Sequence, residues 1–393
     1  MKVFVLTSRI PYPLEKGDKL RLFHQVKHLG ARHDVVLCCL STAAPSPEQR
    51  AALAPHVQEF HVVRLRWWTR LWRMAWAWFD DRPLQVIWFT ERRALRRVQD
   101  LVRDAQPDAI HCHLVRCAEY VKERHDLPKS LDFMDAFSAG MHRRSHQLNR
   151  VWEWPLRWVT WLEGNRLAAY ESRVFDYFDR HTIISKNDRL LIPHRNRDQI
   201  AIVPNGVDLD AFRPEPKGTS DTPTLLFTGN MAYPPNVDAA VHLAKDILPL
   251  VRTPKVRLVL AGAEPKPAVA ALASSRVVVT GWVDDMAEEY RRADLFVAPL
   301  RMGTGLQNKV LEAMASHLPC VLSPHAFSPL GLPRENHAVV CERPEEYAAA
   351  IDRLLADADA RSQLARHASQ AVHTTFAWAV HNGTLEEILT SMR

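Results

Sequence analysis

The chain has 393 residues, 47% of them hydrophobic, with 51 Lys and Arg against 45 Asp and Glu and a net charge of +6. That length carries about two to three domains, and the apolar content gives each a core, which excludes a disordered or fibrous chain. No apolar run reaches transmembrane length, and the basic excess comes without a zinc-finger, RNA-recognition or helix-turn-helix signature, which excludes nucleic acid as the expected partner.

The opening MKVFVLTS has one lysine and then a β-branched run without a cleavage site, so it reads as a first core strand, not a signal peptide. Strand-like runs follow at Asp34 to Leu40, Glu59 to Leu65, Ala109 to His113 and His181 to Ser185, with helical patterns between several of them. Lys16-Gly17-Asp18-Lys19 follows the turn Pro11-Tyr12-Pro13 and precedes a helix expected from about Leu20 to Leu29. Gly17 permits a close backbone approach there, and Asp18 stands where a helix N-cap belongs.

Between Arg64 and Arg103 lie ten arginines and four acids, interleaved with Trp67, Trp68, Trp72, Trp76, Trp78 and Trp88; a second aromatic run holds Trp152, Trp154, Trp158 and Trp161. Such Arg and Trp mixtures suit a headgroup interface, so an anionic membrane surface is an expected partner. The competing expectation is a helical subdomain covered by tryptophan and solvated by arginine.

His111-Cys112-His113 with Cys117 has the residue types of a zinc site, but alternating residues of a strand end point to opposite faces and no second ligand cluster follows, so no metal is expected. The six cysteines, Cys38, Cys39, Cys112, Cys117, Cys320 and Cys341, form no Cys-x-x-Cys pair and are expected as reduced, buried thiols of a cytoplasmic protein. Asp132 and Asp135 follow a short apolar stretch and suit either an acceptor site or loop hydrogen bonding.

After the proline-rich passage from Pro204 to Pro223 the alternation restarts at Thr224, with strands expected near Leu225, Val256, Val277, Leu295 and Cys320. Two domains are therefore expected, residues 1–200 and 201–375. Within the second, the segment Arg292 to Pro324 reads as strand, glycine turn, helix and strand in immediate succession. Gly303-Thr304-Gly305 turns the chain into a helix expected from about Leu306 to Ser316, where backbone amides suit a phosphate. Lys309 and Glu312 share one face of it, and Val310, Leu311 and Met314 can face the sheet. A cation near the helix start suits a diphosphate and a carboxylate one turn on suits ribose hydroxyls; an ordinary α/β unit with a solvated Lys-Glu pair fits the same pattern.

PLRMGTGLQNKVLEAMA resembles the donor-site segment of family 4 glycosyltransferases, and Ile202 to Pro214, Leu225 to Asn230, Leu258 to Gly262 and Val277 to Val283 resemble further segments of that family in the same order. GNMAYPPNVDA and RMGTGLQNK place the resemblance nearest the PEP-CTERM/exosortase-associated bacterial exopolysaccharide sugar transferases. The resemblance implies an α/β GT-B architecture, two facing Rossmann-like domains with a donor/acceptor cleft between them, in which the last helix, residues 376–393, packs back on the first domain. It implies a retaining, metal-independent transfer from a nucleotide-sugar donor, UDP- or GDP-linked, to a glycan or polyprenyl-linked acceptor, with no cofactor, by a protein peripheral on the inner face of a bacterial inner membrane.

By the same resemblance, Arg301 and Lys309 neutralise the diphosphate with amides around Thr304, Gly305 and Leu306, the loop at Gly17 lies beside the phosphates, Glu312 holds the ribose, Val283 meets the base, and His113 is the catalytic residue. Asp18, Asp132 and Asp135 are candidate acceptor residues. The chain departs from the family pattern where Thr304 replaces the first acid of a Glu-x7-Glu motif and where Asn230 and Pro235 replace an Arg and a Lys; Arg301 is expected to restore charge at the donor site. Those departures leave the donor sugar open and admit a second reading, a catalytically inactive, membrane-docked adaptor that binds nucleotide sugar. Asp208-Leu209-Asp210 formally supplies the Asp-x-Asp of a metal-dependent GT-A transferase, but its Pro-Asn-Gly-Val context assigns it to a linker. No Gly-x-Gly-x-x-Gly follows the first strand, against a nicotinamide oxidoreductase.

Overall fold

A computed structural model describes residues 1–14, 16–148, 151–215, 222–302 and 306–392. The chain divides into two compact units, Met1–Pro204 with His381–Arg393, and Asn205–Val380. The division falls within the last helix, Trp378–Thr390.

The first unit is built on a parallel sheet of seven strands: β1 (Lys2–Thr7), β2 (Asp34–Ser41), β3 (Glu59–Arg64), β4 (Ala109–His113), β5 (Lys129–Asp132), β6 (Arg180–Ile183) and β7 (Ala201–Ile202), in the order β3-β2-β1-β4-β5-β6-β7. The order reverses between β1 and β4, which pair in register from Val3 with Ala109 to Thr7 with His113. Because helices cover both faces of such a sheet, β1 is apolar without a break from Val3 to Leu6. Phe4 and Leu6 face one core with Val98, Leu101 and Tyr170, and Val3 and Val5 face another with Leu22, Val26, Leu385 and Leu389. Burying each such Leu, Val or Phe contributes about 1.5–3 kcal/mol.

Leu385 and Leu389 belong to the last helix, where a four-residue spacing puts both on one face. That helix is fixed further by Asn382, whose amide donates to the His24 carbonyl at 2.9 Å, and by Glu386, which accepts from Arg32 at 2.7 Å and lies 2.9 Å from His28.

The second unit holds six parallel strands, β8 (Thr224–Thr228), β9 (Arg257–Ala261), β10 (Val277–Gly281), β11 (Leu295–Ala298), β12 (Cys320–Leu322) and β13 (Val339–Val340), in the order β10-β9-β8-β11-β12-β13. Numbered from its own first strand this is 3-2-1-4-5-6, the doubly wound order, and the first six strands of the other sheet follow it too. The α/β class with two Rossmann-like units is thus the one expected from the sequence.

Three strands escaped that reading. β5 is Lys-Ser-Leu-Asp, with no apolar run; the Lys129 aliphatic stem is buried and its ammonium donates to the carbonyls of Lys122 and Arg124. β7 and β13 are two-residue edge strands, too short for a pattern. The run expected from His181 to Ser185 instead ends at Ile183, because Ser185 caps the next helix by accepting from the Asp188 amide at 3.1 Å.

Candidate functional site

Ligands of doubly wound sheets sit outside the carboxyl ends of the strands, at the point where the strand order reverses. In the second unit that point lies between β8 and β11. Both β8 and β9 are followed directly by a glycine at positive φ, Gly229 at 147° and Gly262 at 144°. A Cβ on Gly262 would stand 1.9 Å from the Gly229 carbonyl oxygen, and one on Gly229 would stand 2.6 Å from the Asn236 amide nitrogen and 3.1 Å from Lys309 Nζ. Only glycines let these strand ends pack together and leave Lys309 its place.

Lys309 lies in the helix Asn308–Ala315, two residues shorter at its start than expected, with Val310, Leu311 and Met314 fully buried against the sheet. Its ammonium donates to the Asn236 side-chain oxygen and rests 4.9 Å from the centre of the Phe227 ring. Burial pushes it down to about 8, and the Glu312 carboxylate offsets part of that. Glu312 is itself pushed above the ordinary carboxylate range by burial, against the Tyr290 hydrogen bond and the Lys309 charge. This is a partly buried pair on the inner side of the helix, not the solvated Lys-Glu pair that the pattern also admitted.

Tyr290 is the hub of the site. Its hydroxyl donates to Glu312 Oε2 at 2.9 Å, lies 2.7 Å from Thr228 Oγ1 at the end of β8, and is 3.2 Å from the Lys309 carbonyl. Holding Oε2 in this way orients the other carboxylate oxygen. Sequence reasoning missed Tyr290: in MAEEYRR it is the one aromatic of a short amphipathic helix, indistinguishable from a core residue.

The remaining residues expected here are placed as follows. Arg301 is exposed and paired with Asp238, Nε to Oδ2 at 2.9 Å. Asn230 closes its own turn, accepting from the Ala232 amide at 2.8 Å. Leu306 precedes the helix and packs on the unit's core, as does Val283; beside Val283 the Trp282 indole is 61% exposed and donates to Asp284. Thr304 and Gly305 lie outside the described residues. Asp208 accepts from the backbone amides of Asp210 and Ala211, both at 3.1 Å, so this Asp-x-Asp caps a turn.

In the first unit, His113 ends β4 at the reversal point. Its ring is buried, Nδ1 lies 3.3 Å from Asp132 Oδ2, and Nε2 has no hydrogen-bond partner among the described residues. Ser8 Oγ after β1, Arg116 Nε after β4 and Asp135 Oδ1 after β5 share that condition. Buried polar atoms are nearly always paired, so four unpaired ones around the same strand ends mark this as the polar end of the unit. Burial, with Asp188 adding to it, raises Asp135 to about 6, and burial lowers Arg116.

One expectation for this unit is corrected. The helix expected from Leu20 spans Gly17–Gly30, so Asp18 sits inside its first turn, where it accepts from Arg9 at 3.0 Å, and the N-cap position is Lys16. A Cβ on Gly17 would meet only Met134 Cε at an ordinary 3.5 Å, so no packing within the protein demands glycine there. Asp132 is held by internal partners: it accepts from Arg21 Nε at 2.7 Å and Nη2 at 3.1 Å, from Gln25 at 3.2 Å and from the Met134 amide at 3.1 Å. The flanking His111 bonds Ser130 at 2.8 Å, all six cysteines are buried free thiols, and no group of metal-binding side chains is found among the described residues.

Residues 222–357 match the family described as glycosyl transferases group 1. No curated protein matches the chain. Among solved structures the chain is similar to HepE of Anabaena in complex with UDP, with 16% identity, TM-score 0.69 and 100% of each chain covered. It is similar to sucrose-phosphate synthase of Thermosynechococcus elongatus, with 15% identity, TM-score 0.68, and 100% of this chain and 99% of that one covered. A glycosyltransferase of Rickettsia africae gives 11% identity, TM-score 0.70, and 100% and 98% coverage. At these identities the likeness is one of fold, that of the GT-B glycosyltransferases.

Proposed function

We propose that the protein is a glycosyltransferase that binds a nucleotide diphosphate sugar on its second unit and moves the sugar to a lipid-linked glycan acceptor in bacterial exopolysaccharide synthesis. The observation that carries this reading is Lys309: a partly buried ammonium, beside strand-end glycines at the sheet's reversal point, within the segment that matches group 1 glycosyl transferases. A diphosphate supplies further negative charge to a buried cation whose burial Glu312 offsets only in part. HepE, a structural neighbour, has been crystallised with UDP and with UDP-glucose, which supports a nucleotide-sugar donor of that kind.

In this reading Lys309 and Arg301, with the amides around Thr304, Gly305 and Leu306, hold the leaving diphosphate, the latter cation once it exchanges Asp238 for phosphate. Glu312, oriented by Tyr290, accepts from the ribose hydroxyls, and the base lies by Val283. His113, whose Nε2 is unpaired, acts on the donor sugar. The bond from the anomeric carbon to the diphosphate oxygen breaks while the acceptor oxygen bonds to the same face, and the acceptor proton passes to the departing phosphate, so configuration is retained. Charge on the leaving group is met by fixed cations, so the transfer runs without a metal.

The test is a thermal-shift and product-release screen against UDP, GDP, ADP and TDP sugars, with and without chelator. Stabilisation by one nucleotide and chelator-insensitive sugar transfer are the expected results. Stabilisation without any release would replace the transferase with a binding adaptor, and no stabilisation would remove the donor site altogether.

A further inference from the structure

The two tryptophan-rich segments meet on the surface of the first unit. Trp78, which follows the helix Trp67–Ala75, stacks on Trp158 of the helix Trp154–Phe175 with ring centres 5.5 Å apart and planes at 21°. Arg166 ties the same two elements by donating to the Ala77 carbonyl at 3.0 Å. Around this junction Trp72 is 67% exposed, Phe79 84%, Trp152 73% and Trp154 62%, and Leu71 and Leu156 are exposed with them. Large apolar side chains at this density on an open face mark an interaction surface.

The charge around it chooses the partner. Trp67 and Trp68 border a groove of about 620 Å³ that they share with Arg64, Arg66, Arg93 and Arg97. Trp154, Trp158 and Trp161 line another of about 460 Å³ with Arg157 and His146. The acids nearby are already bound: Asp80 to Arg82, Asp81 to Arg173, and Glu91 to the Arg66 amide. What remains outward is indole and guanidinium, an amphipathic ring that settles at the headgroup level and a cation that pairs with lipid phosphate. No described helix is long and apolar enough to cross a bilayer, so the aromatic face would rest on one leaflet.

We infer that this Trp78–Trp158 platform docks the first unit on an anionic lipid bilayer. It deepens the transferase reading by naming the surface on which a lipid-linked acceptor is met, and it stands on residues apart from the donor site, so the two are scored separately.

The full chain is sedimented with vesicles of phosphatidylcholine alone and of phosphatidylcholine with phosphatidylglycerol, at low and high salt. Binding that needs phosphatidylglycerol, weakens with salt, and falls about tenfold or more in a Trp72→Ser, Phe79→Ser, Trp154→Ser variant is the expected result. That variant keeps its circular dichroism and its nucleotide-induced thermal shift, since the three side chains point outward. Binding unaltered by these changes, or none to either vesicle, overturns the inference. So does a concentration-dependent dimer of the unaltered chain that the variant abolishes, which would give the face to a second copy. A missing nucleotide shift with intact vesicle binding would count against the donor site alone.

Discussion

Arg21 and Asp132 form an ion pair with both side chains at 0% exposure, Nε to Oδ2 at 2.7 Å, joining the helix Gly17–Gly30 to the end of β5. The guanidinium also donates to the Val203 carbonyl at 2.7 Å, beyond β7, so one side chain secures three separate pieces of the first unit.

Breaking this pair from one side leaves a buried charge uncompensated. Asp132→Asn is expected to cost about 3–5 kcal/mol in urea unfolding, and Arg21→Met a similar amount. The double variant loses less than the sum, because neither charge remains. The Arg21 charge and the His113 contact hold Asp132 well below the usual carboxylate range despite burial. Its contribution is therefore full above about pH 4 and lost as pH falls below that, which acid titration of the wild type against Asp132→Asn would show.

If Lys309 meets the diphosphate, its titration sets a pH limit on nucleotide affinity. With its folded value pushed down to about 8, the ammonium is charged below that pH and neutral above it. UDP or GDP affinity is expected to fall as pH rises through about 8, and Lys309→Met to bind at least about tenfold more weakly at pH 7 with little remaining pH dependence. The fold itself responds the other way: the unfolded chain binds more protons from about pH 8 to 10.5, so this residue makes stability rise with pH across that window. Affinity that stays level from pH 7 to 9 would remove Lys309 from the diphosphate site.

Tyr290→Phe keeps the ring in the core and deletes the hydroxyl that donates to Glu312. The unpaired carboxylate costs about 1–3 kcal/mol of stability. If Glu312 holds the ribose, affinity for a ribonucleotide drops by several-fold while affinity for inorganic diphosphate is unchanged, a contrast that calorimetry with both ligands can read.

Gly262→Ala places a methyl 1.9 Å from a carbonyl oxygen at a φ of 144°, where an L side chain is strained whatever room it has. A loss of at least about 2 kcal/mol is expected in thermal or urea unfolding. Gly17→Ala, where the new atom meets only a flexible methionine tip, is expected to change stability by less than about 1 kcal/mol.

Glu171 is buried among the helices of the first unit, accepting from the Ser138 hydroxyl at 2.6 Å and its amide at 3.1 Å, and burial pushes it up to about 7. The folded state holds a proton here that the unfolded state releases near pH 4.5, so stability declines as pH rises from about 4.5 to 7, by on the order of 3 kcal/mol. Glu171→Gln should remove that slope, measured as unfolding midpoints at pH 5 and pH 7.

Much of the fold was legible because its central strands are buried on two faces and read as unbroken apolar runs; β1, β2 and β8 declare themselves in this way. β5 did not, since charged Lys129 and Asp132 bracket it, and the Arg21 that pairs with Asp132 lies far along the chain. Separation along the chain also hid the contact of Tyr290 with Glu312. Lys309 and Glu312 are one turn apart and visible as a pair, whereas Tyr290 reaches them only because the helix Met286–Arg292 packs beside theirs. Asp18 and Asp132 show what spacing alone leaves out. A carboxylate near a glycine loop or a strand end has the composition of a ligand residue, and only the positions of Arg9 and Arg21 reveal that each already has its partner.

The first unit is discontinuous in sequence: Leu385 and Leu389 complete a core begun by Val3 and Val5. On a ribosome, the second unit has its whole sequence available while the first still lacks a wall. Nascent chains halted before His381 would therefore carry one finished unit and one with an open apolar face, a substrate for chaperones until the final helix emerges.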